Sequence, residues 1–247
     1  MTARSALFIS PHLDDVAFSC GGLAHLLARC GWATTLCTVF TQSVADPRGF
    51  ALACQLDKGL SGDVDYLALR RAEDARAAER LQFRYVEWLG LPEAPHRGYD
   101  SPEALFGPYA EHDDASRALA ELFEKRLDWY DVVFAPQALG RHVDHRRVAE
   151  AVASRAGSGL GGALGWYRDV PYALREPAAA SPLAVARDAA AAAVALDAQD
   201  VDAKLDACAA YASQVPFQFG GELPMRVALR DFPEVIAGDA ARVLVAP

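Results

Sequence analysis

Residues 6–15 read Ala6-Leu-Phe-Ile-Ser-Pro11-His12-Leu13-Asp14-Asp15, and this stretch decides the fold. The apolar run 6–10, stopped by Pro11, has the pattern of a strand buried on both faces. The acidic pair then opens a stretch reaching Arg29, with Val16, Leu23, Leu26 and Leu27 at helical spacings and Gly31 as a stop. A buried strand passing through a short turn into a helix is one βα unit. The alternation continues outward from it. Residues 34–41 (TTLCTVFT) are β-branched and predict a second strand, 67–81 an amphipathic helix, and 84–89 a third strand. A helix over 115–127, a strand over 131–135 closed by Pro136, and a helix over about 144–155 follow. Strand alternating with helix predicts one α/β domain over 1–247, Rossmann-like, with a mostly parallel sheet and helices on both faces.

Between these elements lie two long loops. Residues 42–62 carry Pro47, Gly49, Gly59 and Gly62, and residues 90–113 carry Pro92, Pro95, Pro102 and Pro108. Loops of that length inside a compact domain tend to be functional or disordered. The spacing Gly157-x-Gly159-x-Gly161 follows a helix and not a strand, so 157–165 is read as a flexible connection and not a phosphate loop. The alanine run 189–193 is low in complexity and lies between Asp188 and Asp197.

Composition narrows the function. The 247 residues are 52% hydrophobic and 23% charged, which supplies a continuous core and excludes a disordered chain. Lys and Arg number 24 against 33 Asp and Glu, a net charge of −9 that argues against binding nucleic acid or anionic membrane surfaces. Five cysteines, odd in number and without a CxxC pair, fit reduced thiols better than a disulfide framework. The longest stretch free of charged residues, 30–45, falls short of the ~20 apolar residues of a spanning helix. The expectation is a cytoplasmic protein without membrane insertion, with room for homo-oligomerisation.

Two clusters carry chemistry. His12 and Asp15 follow the first strand; His142, Asp144 and His145 (His142-Val-Asp-His145) follow the strand that ends at Ala135. Open α/β sheets bind ligands at the carboxyl ends of strands, where strand order reverses. Both pairs, 12/15 and 142/145, are spaced i, i+3 and so share one side of a helical turn. Two imidazoles and a carboxylate suit Zn²⁺ with an open position, and Fe²⁺ equally. Asp14 could then serve as general base on a water held by the metal. Either cluster alone is also accounted for by favourable charges in a first helical turn. Together they place three of the six histidines at two equivalent junctions, which that explanation does not account for.

The sequence PHLDD at 11–15 with HVDH at 142–145 resembles the PIG-L/LmbE-like family of zinc-dependent N-acetylglucosamine (GlcNAc) de-N-acetylases. Weaker similarities extend through Arg70-x-x-Glu73, Trp88-Leu-Gly-Leu91, the segment 131–136, Lys204 and Tyr211-Ala-Ser-Gln214. Leu13 departs from the family's usual proline at a position that carries no ligand atom. The resemblance implies that His12, Asp15 and His145 bind zinc and that Asp14 is the general base. It implies that His142 stabilises the oxyanion and acts as acid toward the leaving amine, with Asp144 bonded to the His142 imidazole and supporting its charged form. Arg70 matches a position that reaches substrate hydroxyls; the alternative is a solvated helix face paired with Glu73. The implied activity is removal of an N-acetyl or N-acyl group from a small amino sugar or its conjugate. Amidase action on a thiol or natural-product conjugate, or a non-catalytic metal- or sugar-binding role, are the alternatives; Asp14 and His142 disfavour the last.

Outside the clusters less is expected. Arg97 and Tyr99 could line the substrate mouth, but ordinary loop structure is favoured. His25 reads as core, and His96 and His112 as solvated. Cys20 and Cys37 lack a basic activator, and no GxSxG is present.

Overall fold

The structure, a computed structural model, describes residues 3–241. In chain order the elements are β1 (Ser5–Ser10), α1 (Asp15–Arg29), β2 (Ala33–Phe40), α2 (Gly49–Leu56), α3 (Tyr66–Arg80) and β3 (Tyr85–Leu91). After the long loop come α4 (Ala115–Phe123), β4 (Val132–Pro136), α5 (Val143–Gly157), β5 (Ala163–Tyr167), α6 (Tyr172–Arg175) and α7 (Ala184–Arg187). The chain continues through β6 (Ala191–Ala193), α8 (Ala198–Ala209), α9 (Val215–Phe219), α10 (Glu222–Arg230) and β7 (Val235–Gly238).

These strands form one seven-stranded sheet in the order β3-β2-β1-β4-β5-β7-β6. The first five run parallel, while β7 pairs antiparallel with β5 and with β6. Side chains alternate across β1 as a strand period of two requires. Leu7 and Ile9 pack with Leu119, Phe123, Val148 and Val152 of α4 and α5 on one face. Ala6 and Phe8 pack with Val16, Leu23 and Leu27 of α1 and Ala78 of α3 on the other. The predicted mostly parallel α/β sheet with helices on both faces is therefore present.

α1 is broken at Cys20, whose φ of −145° is not helical. The N–H groups of Gly22 and Leu23 donate instead to the carboxylate of Glu234, at 2.9 and 2.8 Å. Lys204 of α8 lies 2.8 Å from the same carboxylate. The kinked helix is thus fixed from behind by a buried ion pair, which steadies the end of α1 that carries Asp14 and Asp15.

Two expectations are corrected. The loop over 42–62 contains α2, whose following turn is tied down by Gln55 Nε2 donating to the carbonyls of Ser61 and Val64. The glycine-rich 157–165 is not wholly a flexible connection, because residues 163–165 open β5. Gly165 sits there because a Cβ would come within 2.9 Å of Phe134, Ala240 and Ile236: the close layer, and not mobility, demands glycine. Part of the alanine run forms β6, since an edge strand paired through its backbone needs no particular side chain.

Candidate metal centre

Strand order reverses between β1 and β4, the crevice where an open α/β sheet binds ligands. His12, Asp14 and Asp15 leave the carboxyl end of β1, and His142, Asp144 and His145 leave that of β4. A cavity of about 390 Å³ opens over this edge, and all six residues line it. The first turn is tightly bonded. Ser10 Oγ donates to the His12 carbonyl at 2.6 Å and the His12 N–H donates to Asp15 Oδ2 at 2.7 Å. Both junctions hold a non-glycine residue at positive φ, Asp14 at 156° and Arg141 at 61°. Such conformations cost on the order of 1–3 kcal/mol and persist where the surroundings fix them.

One ring nitrogen each of His12 and His145 and one carboxylate oxygen of Asp15 lie within 4.8 Å of one another. Asp15 Oδ2 is 3.5 Å from His12 Nδ1 and 3.4 Å from His145 Nε2. Each imidazole is held at its other nitrogen by a buried carboxylate. His12 Nε2 meets Asp144 Oδ2 at 2.9 Å, and His145 Nδ1 meets Asp169 Oδ1 at 2.6 Å. A carboxylate behind a ligating imidazole is the recurrent support of metal-binding histidines. Burial opposes a charge on these rings. The bonds from Asp144 and Asp15 nonetheless push His12 up to about 10, and Asp15 with Asp169 raises His145. Against its own burial, Asp15 is held down at about 2 by His145 and His12. The pocket thus favours positive charge, and its two nitrogens and one oxygen are the donor set of a borderline divalent cation. The residues fit Zn²⁺, with Fe²⁺ compatible with the same donors.

Asp14 stands beside this set and outside it. Burial and the neighbouring Asp15 raise its pKa to about 7, against the pull of Arg70. Arg70 is 4% exposed, so the solvated-face alternative fails. Its Nη1 donates to Glu93 Oε1 at 2.6 Å and its Nη2 lies 3.5 Å from Asp14 Oδ2, while Glu73 turns away to accept from Ser213. Arg70 lines the cavity, and Arg71 points elsewhere, to Ser43 and the Thr41 carbonyl.

The expected contact between Asp144 and the His142 imidazole is corrected. The Asp144 carboxylate goes to His12, and only the backbone N–H of Asp144 donates to His142 Nδ1, at 3.2 Å. Burial, with His12 and His145 adding to it against the Asp144 charge, drives His142 down to about 3. His142 is therefore neutral, and because Nδ1 accepts a hydrogen bond, the proton resides on Nε2. His25 is buried as expected, bonded to Asp200, and His112 is exposed. His96, expected to be solvated, is half-buried against the cavity. Arg97 and Tyr99 do not line the cavity; they lie behind it.

Sequence reasoning missed Asp169, Glu93, Tyr172 and the position of Arg97. Asp169 lies two residues beyond β5, at the same carboxyl edge as both motifs. The signal was there, but it required recognising β5. Tyr172 has its ring centroid 5.6 Å from that of His145 and leans over Gly140, where a Cβ would come within 2.0 Å of the phenol ring.

The model of the family described as PIG-L, GlcNAc-PI de-N-acetylase, matches residues 7–156, a span that includes both junctions. The 2'-N-acetylparomamine deacetylase of Streptomyces fradiae is 39% identical over 170 residues, 68% of this chain and 57% of that protein. The similarly named protein of Niallia circulans is 31% identical, with 68% of each chain covered. The chain thus spans little more than half the length of the Streptomyces relative. Among solved structures, the zinc-inhibited form of teicoplanin deacetylase Orf2 superposes with a TM-score of 0.80 at 21% identity, over 95% of this chain and 97% of that one. The A40926 pseudoaglycone deacetylase Dbv21 gives 0.78 at 24%, over 96% and 97%. At these identities the superpositions establish the fold. With the family model matching more than half of its length, this chain belongs to the PIG-L family.

Proposed function

We propose that the chain is a divalent-metal-dependent hydrolase that removes an N-acyl group, most simply N-acetyl, from an amino sugar or amino-sugar conjugate. The observation that carries this reading is the convergence of His12, Asp15 and His145 under a cavity that also receives Asp14. When bound, Zn²⁺ at such a site supplies Lewis acidity, which polarises an amide carbonyl and makes water a competent nucleophile at neutral pH.

The remaining work falls to the chain's own residues. Asp14, buried in the cavity beside the ligand set, takes a proton from the attacking water and returns it to the departing nitrogen. His142, neutral, donates its Nε2–H to the oxygen on which negative charge develops, a contribution typically worth 10²–10³ in rate. Arg70, fixed by Glu93, binds sugar hydroxyls. The relatives from Streptomyces fradiae and Niallia circulans bear the name 2'-N-acetylparomamine deacetylase, and solved neighbours are teicoplanin deacetylases. These names support a natural-product amino sugar as the substrate class. No helix among the described residues is long and apolar enough to cross a membrane. The test is release of primary amine from N-acetylparomamine and a panel of N-acetylglucosaminides, with and without chelator. Release that chelator abolishes and Zn²⁺ restores is expected; release indifferent to chelator, or no release from any N-acetyl sugar, contradicts the reading.

A further inference from the structure

The long loop 92–113 faces two places at once. One side walls the cavity through Glu93, Pro95, His96 and Phe106. The other reaches behind the ligand His12. Arg97 Nη2 donates to Asp144 Oδ1 at 2.6 Å, its Nε to Asp113 Oδ1 at 3.0 Å and its Nη1 to the Pro92 carbonyl at 2.6 Å. The backbone N–H of Ala94 donates at 3.1 Å to Asp144 Oδ2, the oxygen that meets His12 Nε2. Asp113 closes the loop on itself, accepting from Tyr99 Oη at 2.7 Å and from Arg147 Nε at 3.1 Å. The guanidinium of Arg97 lies over the rings of Phe40 and Tyr99, at 4.7 and 5.8 Å from their centroids. The Asp113 and Asp144 side chains are wholly buried and that of Arg97 is 5% exposed.

A buried charge persists only when paired and fully hydrogen-bonded. Asp144 obtains that pairing from Arg97 and Ala94, both on the cavity loop, and not from its own helix. Its carboxylate in turn fixes the His12 ring with Nδ1 toward Asp15. We propose that Arg97 is a positioning residue for the metal centre, acting on His12 through Asp144, so that the ordered loop 92–113 and a bound cation stabilise one another. The proposal rests on the assignment of His12, Asp15 and His145 as ligands. If the ordered loop raises the affinity for the cation, the cation must favour the ordered loop by the same factor.

The experiment uses the full chain and Zn²⁺ alone, with affinity measured by competition against a chelating dye. Removing a residue that supports a ligand typically costs ten- to a hundredfold in metal affinity, the loss expected for Arg97→Ala. Arg97→Lys keeps the charge but cannot span both carboxylates with a planar fork, and falls between. Arg71→Ala, outside this network, leaves affinity unchanged. Hydrogen exchange supplies a second readout that a merely structural arginine would not move. In the wild type, Zn²⁺ slows exchange of peptides from 92–113, and in Arg97→Ala this slowing shrinks. Should Arg97→Ala fail to fold, the wild-type exchange measurement still decides. Equal Zn²⁺ affinity in Arg97→Ala and wild type, or exchange over 92–113 indifferent to Zn²⁺, overturns the proposal. A wild type that binds Zn²⁺ while its loop ignores it refutes this inference alone; a wild type that binds none refutes the ligand assignment beneath it.

Discussion

The two histidines of the candidate metal centre are held by different regions, and the difference separates rigid from conditional support. His145 stands on α5 and leans on Asp169, whose second oxygen accepts only the backbone N–H of Leu139, at 3.2 Å. That support comes from the end of a central strand. His12 leans on Asp144, which depends on Arg97 and Ala94 from a long loop. One imidazole is therefore braced from just beyond the end of β5 and the other by the segment that also walls the cavity. If the proposed coupling holds, the cavity wall influences the metal site without touching the substrate's reacting atoms.

The largest effect should fall on neither brace. Asp14 lines the cavity and, among the described residues, makes no hydrogen bond to the ring of His12 or His145, so Asp14→Asn is expected to keep the metal and lose about 10²–10⁴ in kcat. Metal analysis beside single-turnover kinetics checks this. Loss of metal in parallel with activity would mean that Asp14 and Asp15 exchange roles.

Replacing each brace in turn sharpens the comparison. Asp144→Asn and Asp169→Asn should both weaken Zn²⁺ binding by about ten- to a hundredfold. Their stabilities should differ. Asp144→Asn strands the Arg97 guanidinium in a buried site, a loss of about 3–5 kcal/mol, whereas Asp169→Asn leaves His145 paired with Asp15, strands no arginine, and costs about 1–3 kcal/mol. Denaturant unfolding of the metal-free variants tests the ordering, and equal losses would erase the distinction between the two braces.

A smaller effect lies at the far end of α1. Asp200 accepts from Arg29 and His25, and these bonds outweigh burial to hold its pKa at about 2. A carboxylate depressed in the folded state stabilises the fold above its unfolded value of about 3.9, and that contribution disappears as pH falls through about 2. Between pH 4 and 2 the wild type should lose stability more steeply than Asp200→Asn. Parallel acid limbs would show that this carboxylate is not protonated on unfolding.

Where apolar patterning and motif coincide, the sequence is informative. The run 6–10 announces β1 because a strand covered on both faces is nearly continuously apolar, and the β-branched run 34–41 announces β2 because branched side chains suit a pleated strand. His12 with Asp15, and His142 with His145, stand out in the sequence because short βα turns place i, i+3 pairs side by side, and the structure brings both pairs to one edge of the sheet. Reading fails where the cause is not local. Gly165 looks like a loop residue but is demanded by Phe134 and Ile236 from other strands. With β5 hidden in that way, Asp169 could not be assigned to the carboxyl edge. Arg97 meets Asp144 across 47 positions, a pairing that no spacing rule reaches. The expected Asp144–His142 contact failed for the same reason. Neighbours in sequence were assigned to one another, although the Asp144 carboxylate turns across the crevice to the histidine of the other junction.

On the proposed function, His12, Asp15 and His145 together hold one catalytic cation. Elemental analysis of the chain after equilibration with Zn²⁺ and removal of excess, for wild type and for the His12→Ala/His145→Ala double variant, tests it most directly. About one equivalent in the wild type and none in the double variant is the predicted result; a double variant that keeps full occupancy, or a wild type that retains no metal, contradicts it.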